Sequence, residues 1–429
     1  MREYAIASIL AISLIVLTVS PAVGEEYLEA VVDVDFSQSL QRPSLGGFLH
    51  GIKEHEPPDD LVRPLKPKLF RMGRFSPALY DRVASMNARF QLVVSDGFEY
   101  GGKNGWPFDN YGRWEEYVRN LARKVGRRPI LWDIWNEPDL SHFWGGSVAQ
   151  YLETFRRAYN VLHSELGDKV KIVGPSLASF SRVRLKQFLD YSLDHGLKID
   201  ILSWHELTRW LIPKLPFNVD YARQAVFKSG AYEKISVQEL QIGEYADDND
   251  QFSPGELLAY LAAMEQAGIA SAAKACWREG REGSERLFNC FPLDGIVGGD
   301  GLDRRAAWWL YRAYAALEEN RLTVSSDDPR IVALAAPAGP GARAAQILIG
   351  FFEDRRTPDW ARVTIRLRNH SANQCFKPVA RLIPDRGPEP LQAPLPMSAP
   401  ESLGDDTYRL SRIPLHAVAW VSLEPTPCR

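Results

Sequence analysis

The strongest constraint on the fold is a regular alternation of short apolar segments and amphipathic stretches between residues 45 and 318. Buried parallel strands appear in a sequence as near-continuous apolar runs. Eight segments have this character: 45–50, 68–71, 90–95, 130–135, 170–174, 199–203, 235–242 and 272–277. Helical stretches with apolar residues every three to four positions lie between or after them: 112–124, 148–166, 254–267 and 305–318. Eight such units predict an α/β fold of the (β/α)8, or TIM barrel, type over residues 45–318.

A doubly wound parallel sheet is the alternative arrangement for alternating strands and helices. Such sheets carry a glycine-rich phosphate-binding turn after a strand. No turn of this kind follows any of the predicted strands, which favours the closed barrel.

The pattern changes after about residue 319. Short strand-like segments separated by turns rich in proline and glycine, without helical periodicity, are typical of a β-sandwich. Five such segments occur at 331–335, 344–352, 361–367, 379–383 and 417–423. We therefore predict an accessory antiparallel β-sandwich domain over residues 319–429. An alternating apolar pattern within residues 25–44 marks a candidate N-terminal strand of the same sandwich.

The N terminus has the features of a secretory signal peptide over residues 1–24. Arg2 precedes an apolar run from Ala5 to Val19, and small residues at 22 and 24 suit a cleavage site. The run has 15 residues, whereas a membrane span needs about 20. We expect a secreted protein, periplasmic or extracellular, with no membrane partner after cleavage; an uncleaved anchor is the alternative.

Charge and cysteine content bear on partners and compartment. The net charge is −3, from 51 Lys+Arg against 54 Asp+Glu, so no basic excess favours a nucleic acid partner. In an oxidising compartment the cysteines can form disulfides. Proximity favours Cys276–Cys290 and Cys375–Cys428, with free buried cysteines as the alternative. The eight histidines show no zinc-site spacing, so we predict neither a metal nor a cofactor.

Two glutamates end predicted strands on opposite sides of the barrel mouth, where barrel active sites lie. Glu137 follows the fourth strand in Asn136-Glu137-Pro138, and Glu244 follows the seventh in Gly243-Glu244-Tyr245. Glycoside hydrolysis needs such a pair, one protonated to release the leaving group and one ionised. Glu239 remains the alternative to Glu244 if the seventh strand stops sooner.

These motifs resemble the retaining glycoside hydrolases of clan A, and most of all family 39, the β-xylosidase-related group. Val173-Gly174-Pro175, Leu202-Ser203-Trp204-His205 and Ala275-Cys276-Trp277 support the resemblance. It covers roughly residues 45–318, and a C-terminal sandwich also fits this family.

The resemblance implies roles for individual residues. Glu137 would be the acid/base and Glu244 the nucleophile. The other residues would contact the sugar: Asn136 at its 2-hydroxyl, His205 and Tyr245 in the cleft near the nucleophile, and Trp277 as a stacking platform.

Other strand ends supply further candidates for substrate binding. Arg71 ends the second strand and could bond the nucleophile, although a salt bridge at the barrel mouth is the alternative. Arg74 and Phe75 stand where the family pattern has a histidine. The remaining candidates each have a plainer alternative in packing or a solvated loop; they are His50, Asp96 and Trp144.

Taken together, these features predict a secreted retaining glycosidase that cleaves an oligo- or polysaccharide by double displacement. A non-catalytic protein that binds or scaffolds cell-surface polysaccharide and a transglycosylase are the alternatives. The sugar, the linkage, exo or endo cleavage and the oligomeric state stay open.

Overall fold

The computed structural model describes residues 26–98, 100–101, 105–275, 292–298, 302–317, 319–338, 344–353, 357–370 and 375–427. The first strand, β1 (Leu28–Gln41), belongs to a sheet of the second domain. The next eight strands are parallel and close into a barrel in sequence order, which confirms the predicted TIM barrel. They are β2 (Gly47–Leu49), β3 (Leu69–Met72), β4 (Arg89–Val93), β5 (Leu131–Asp133), β6 (Lys171–Leu177), β7 (Ile201–Glu206), β8 (Glu239–Tyr245) and β9 (Ser271–Lys274).

Helices alternate with these strands. Their bounds are α1 (Asp59–Val62), α2 (Pro77–Ser85), α3 (Tyr111–Val125), α4 (Val148–Leu166), α5 (Arg182–Asp194), α6 (Leu215–Arg223), α7 (Pro254–Ala267) and α8 (Ala306–Tyr314). Local sequence fixes their ends. In α4, Ser147 and Gln150 cap each other reciprocally at the N terminus. Proline at the first position of α7 and left-handed Gly268 after its end set the bounds of that helix.

The interior of the barrel is apolar at one end and polar at the other. Inward-facing side chains near the N-terminal ends of the strands form a small apolar layer of Leu69, Leu131, Val173, Ile201 and Ala273. Above it, Gln241 on β8 donates to Gln91 Oε1 on β4 at 2.8 Å, and Gln91 donates to Asp133 Oδ2 on β5 at 2.9 Å. Each of these three polar side chains has 0% exposure. The polar end therefore faces the mouth formed by the C-terminal ends of the strands.

The second domain is a ten-stranded sheet that folds over on itself into a β-sandwich. The sheet order is β17-β16-β20-β14-β13-β12-β1-β15-β19-β18. The strands are β12 (Asn320–Ser326), β13 (Ile331–Pro337), β14 (Ala345–Phe351), β15 (Trp360–Arg368), β16 (Cys375–Ile383), β17 (Leu395–Pro396), β18 (Glu401–Gly404), β19 (Thr407–Pro414) and β20 (Val418–Thr426). A small ribbon of β10 (Val297–Gly298) and β11 (Asp303–Arg304) precedes α8.

Contacts between strands far apart in the sheet order reveal the sandwich. Tyr408 on β19 donates to the Phe376 carbonyl on β16 at 3.1 Å. All pairs in this sheet are antiparallel except β1 with β15. The antiparallel sandwich is thus confirmed, with one parallel pair made by the N-terminal strand.

The sandwich is fixed to the barrel at the start of α7. Gly255 donates to the His416 carbonyl at 2.7 Å, and His416 Nδ1 contacts Glu256 Oε1 at 2.5 Å. A Cβ on Gly255 would lie 2.4 Å from the Phe351 carbonyl oxygen, so no side chain fits there. Since α7 follows the loop after β8, the sandwich helps to position that loop. Within the described residues, no helix combines the length and the apolar character that crossing a membrane requires.

Candidate active site

A β-bulge at Gly243 turns Glu244 toward the barrel interior. In the pairing of β7 with β8, Trp204 lies opposite Ile242 and His205 lies opposite Glu244, so the register shifts by one residue between them. Strict alternation would put Glu244 on the face of Ile242, away from Gln241. Because a bulge adds one residue, Gln241 and Glu244 both face inward.

Glycine is required at the bulge because neighbouring side chains leave no space. A Cβ on Gly243 would lie 2.9 Å from Ser203 Oγ and 3.0 Å from His205 Nε2. A larger residue would push on the two strand ends that carry His205 and Glu244.

Glu239 lies at the opposite end of the barrel from the mouth. It is the first residue of β8 and pairs with Arg89, the first residue of β4, at 2.8 Å. Glu244, near the C-terminal end of the same strand, is therefore the carboxylate at the mouth.

Arg71 joins three groups beneath the mouth and is 1% exposed. Its guanidinium donates to Glu244 Oε1 at 2.5 Å, to Asp133 Oδ2 at 2.8 Å and to Asn136 Oδ1 at 2.8 Å. The bond to Glu244 is the contact that the sequence predicts for Arg71. A guanidinium that bonds a carboxylate stabilises the ionised form of that carboxylate.

Asp133 is a site residue that the sequence reasoning missed. Its Oδ2 accepts from Arg71 and Gln91, and its Oδ1 accepts from Ser176 Oγ at 2.7 Å. A charged residue inside the apolar stretch 130–135 was the available signal, since buried charges need partners. Asp133 orients Arg71 and therefore influences Glu244 indirectly, through the guanidinium.

Glu137 is held in an unusual backbone conformation at the end of the β5 region. Its φ is +48°, in the left-handed region that non-glycine residues rarely adopt and that is common at active sites. Its N–H donates to the Ser176 carbonyl at 2.9 Å, and its Oε1 lies 2.8 Å from His205 Nδ1. The side chain is mostly enclosed, at 6% exposure.

The electrostatic surroundings of Glu137 and Glu244 favour different protonation states of the two carboxyl groups. Burial raises the pKa of Glu137 to about 7, and Asp139 adds to this effect while Arg71 and His142 oppose it. Burial also raises the pKa of Glu244 above its ordinary value, and the direct contact with Arg71 offsets only part of that rise. Burial lowers the pKa of His205 to about 4. At neutral pH His205 is therefore uncharged, and Glu137 is the better proton donor of the two glutamates.

The same three side chains offer a set of potential metal ligands. One donor atom each of Glu137, His205 and Glu244 lie within 4.8 Å of one another. Arg71 already neutralises Glu244 at 2.5 Å, so a cation here would face a guanidinium charge. The donor set therefore suits proton transfer better than metal binding.

His50 and Asp96 lie together on the rim of the mouth. Gly73 N–H donates to His50 Nδ1 at 3.3 Å, and His50 Nε2 is 3.9 Å from Asp96 Oδ2. Their side chains retain 37% and 28% exposure, so both are accessible to a ligand. Asn136, at 7% exposure, lies deeper, beside Arg71.

Two predicted cleft residues are buried instead. Tyr245 has 0% exposure, and its hydroxyl bonds that of Tyr311 on α8 at 2.8 Å; it points away from the cleft because it follows the inward-facing Glu244. Trp144 is 5% exposed and packs edge-on against Trp135, with ring centroids 4.9 Å apart. The expectation that these two line the cleft is wrong.

Of the remaining predicted site residues, the structure describes His205 but not Trp277. His205 contacts Glu137 directly, in addition to lying near Glu244. Trp277 lies outside the described residues, as do Cys276, Cys290 and Cys428. The stacking role of Trp277 and both disulfide pairings stay predictions.

Comparison with solved structures supplies the context for this geometry. No family model matches the sequence. A protein from Neocallimastix frontalis superposes with a TM-score of 0.73 at 17% identity, over 93% of this chain and 100% of that one. A family 39 β-xylosidase from Caulobacter crescentus gives 0.62 at 13% identity, over 92% and 100%. A family 51 arabinofuranosidase from Xanthomonas axonopodis pv. citri gives 0.62 at 11%, over 92% and 100%.

The chain has the fold of family 39 and family 51 glycoside hydrolases. At these identities the likeness establishes the fold, while the chemistry is argued from the side chains described above.

Proposed function

We propose that the protein is a secreted retaining glycosidase that acts on an oligo- or polysaccharide. The observation that carries the proposal is the approach of an oxygen of Glu137 to an oxygen of Glu244 within 4.8 Å. Retaining glycosidases hold their two carboxyl groups about 5–5.5 Å apart, whereas inverting enzymes keep about 6.5–9.5 Å to admit a water molecule. The short separation favours direct attack by a carboxylate.

In the first step Glu137 donates its proton to the glycosidic oxygen as that bond breaks. The Glu244 carboxylate attacks the anomeric carbon and forms a covalent glycosyl-enzyme. Arg71 supports this role, because its bond to Glu244 Oε1 fixes one oxygen and favours the ionised state. His205 holds Glu137 Oε1 and leaves Oε2 for the proton transfer.

In the second step Glu137, now ionised, takes a proton from a water molecule, and the resulting hydroxide displaces Glu244 from the sugar. Two displacements at one carbon retain its configuration. Because Asn136 Oδ1 accepts from Arg71, its amide N–H groups are left to bond the sugar 2-hydroxyl. His50 and Asp96 are available for hydroxyls nearer the rim.

The complete acid–nucleophile pair, together with Arg71 and Asn136, favours turnover over the alternative of a binding or scaffolding protein. A transglycosylase would use the same residues and would differ in accepting a sugar hydroxyl in place of water.

The stereochemistry of the reaction tests the proposal. We expect proton NMR of the first-formed sugar to show the anomeric configuration of the substrate, taken from a panel of 4-nitrophenyl xylosides, glucosides and arabinofuranosides. Glu137→Ala with sodium azide should yield a glycosyl azide of retained configuration. A first product of inverted configuration would overturn the retaining mechanism. No hydrolysis of any glycoside or oligosaccharide in a broad panel would overturn the glycosidase activity itself.

Export is the second part of the proposal, supported by the signal features of residues 1–24. N-terminal sequencing of the protein recovered outside the cytoplasm should begin at Glu25. Mass spectrometry of non-reduced peptides should then find the Cys276–Cys290 and Cys375–Cys428 links. A mature protein that still carries residues 1–24 would support the uncleaved-anchor alternative.

The raised pKa of Glu137 predicts the alkaline limb of the pH profile. The acid must be protonated, and its pKa is about 7, so kcat/KM should be lost as pH rises through 7. The expected decline is about tenfold per pH unit above that value. Rates on an aryl glycoside from pH 4 to 10 would measure it. Glu137→Gln should lack this limb, whereas a limb that persists in the variant would assign it to another group.

A further inference from the structure

Trp210 is an exposed tryptophan beside the barrel mouth. It lies in the short helical segment Arg209–Lys214 that follows β7, and it is 43% exposed. By contrast, Trp114, Trp132, Trp135 and Trp204 are nearly inaccessible. An indole face left in water costs free energy, which makes its exposure informative when the side chain is held in place.

Arg209 holds the Trp210 ring. The guanidinium carbon of Arg209 lies 4.4 Å from the centroid of the Trp210 ring, a cation–π contact. Arg209 Nη1 in turn bonds Asp250 Oδ1 and Glu353 Oε2, each at 2.8 Å. The Arg209 N–H donates to Asp247 Oδ2 at 3.2 Å. The loop after β8 and the sandwich therefore both anchor the arginine on which the indole rests.

The anchored ring lies close to the catalytic groups along the chain. Trp210 comes five residues after His205, whose Nδ1 is 2.8 Å from Glu137. Five residues span at most about 18 Å even when fully extended. Asp250, which holds Arg209, comes six residues after Glu244. A short oligosaccharide could therefore occupy the cleft and reach the ring.

We propose that Trp210 is a stacking platform for a sugar ring of the substrate some distance from the scissile bond. The inference rests on the proposed function and sharpens it, because such a subsite is useful only to a glycan of several sugars. The C–H face of a pyranose is apolar and would cover the exposed indole. Asp247, Asp250 and Glu353 all contact Arg209 beside the platform, and this excess of carboxylates over the single guanidinium favours neutral sugars over uronic acids.

Phe217 offers a matched control on the same side of the barrel. It lies on α6, seven residues after Trp210, and is 72% exposed. If exposure alone determined sugar binding, replacing Phe217 would lower kcat/KM on long oligosaccharides more than replacing Trp210. If the sugar stacks on an anchored ring, only the replacement of Trp210 should lower kcat/KM on these substrates.

The test compares short and long substrates in the full-length protein. Xylo-, gluco- and arabino-oligosaccharide ladders of two to six sugars serve as probes. We expect Trp210→Ala to lower kcat/KM on the longest members about threefold to tenfold, the scale of one aromatic stacking contact, and to leave aryl monoglycosides unchanged. Trp210→Tyr should restore most of the loss, and Phe217→Ala should match the parent.

Calorimetric binding of the same ladders separates failure of this inference from failure of the proposed function. A parent protein that binds longer oligosaccharides more tightly without hydrolysing them, with the gain lost in Trp210→Ala, would overturn the glycosidase assignment but support the platform. Equal length dependence in parent and variant, or no gain with length in any ladder, would overturn the platform.

Discussion

Glu244→Ala is expected to lower kcat/KM by about four orders of magnitude or more, the scale seen when a nucleophile is removed from a covalent mechanism. Glu244 is the carboxylate that Arg71 bonds at 2.5 Å at the barrel mouth. In the proposed mechanism the glycosyl-enzyme cannot form without Glu244. Initial rates on an activated aryl glycoside would measure the loss.

Glu239→Ala is the matched control, since it removes a glutamate from the same strand. Glu239 pairs with Arg89 at the other end of the barrel, and both side chains are about one-third exposed. Exposed pairs of this kind contribute about 0–1 kcal/mol, so activity should stay near that of the parent. An inactive Glu239→Ala beside an active Glu244→Ala would reverse the assignment of the nucleophile.

Asp133→Asn is expected to cause the second large effect, on both stability and rate. Asp133 has 0% exposure and accepts from Arg71, Gln91 and Ser176. Removing one partner of a buried ion pair costs about 3–5 kcal/mol, which urea denaturation would measure. Because Arg71 would lose its orientation toward Glu244, kcat should also fall by about a hundredfold.

Ser176→Ala provides the comparison for Asp133. It removes a single hydrogen bond to Oδ1 and keeps the charge, so the expected cost is about 1 kcal/mol with little change in kcat. If Asp133→Asn lost stability but kept the parental kcat, Asp133 would serve the fold alone. An Asp133→Asn variant with the unfolding free energy and the kcat of the parent would refute the role of Asp133 in orienting Arg71.

The barrel could be predicted from the sequence because its signals are local. The helices α4 and α7 begin and end where periodicity, capping residues and proline indicate, at Val148–Leu166 and Pro254–Ala267. Glu137 could be located because it comes four residues after the end of the apolar strand β5. These features depend on residues close together in the chain.

Side-chain direction could not be predicted where it depends on distant contacts. Only the bulge at Gly243 brings Glu244 inward and sends Tyr245 to Tyr311. Trp144 is near Glu137 in sequence, yet neighbouring aromatic rings enclose it. Proximity to a catalytic residue gives no information on which way a side chain points.

The strands β12 and β19 were missed for a related reason, since polar and charged residues interrupt their apolar pattern. Arg321 on β12 is only 3% exposed because it pairs with Glu265 of α7 at 2.7 Å. A strand that buries an arginine against a helix cannot be recognised until the helix is placed beside it.

The position of β1 makes the barrel an insertion within the sandwich. β1 hydrogen-bonds to both β12 and β15, and Glu29 and Arg362, which face each other across the parallel pair, are 333 residues apart. A contact of this sequence separation forms slowly, because a long loop must close first. The sandwich cannot be completed until nearly the whole chain has been synthesised, while the barrel can form earlier from its own residues. On the proposed export route, β1 would cross the membrane first and would remain unpaired until β12 and β15 had followed it.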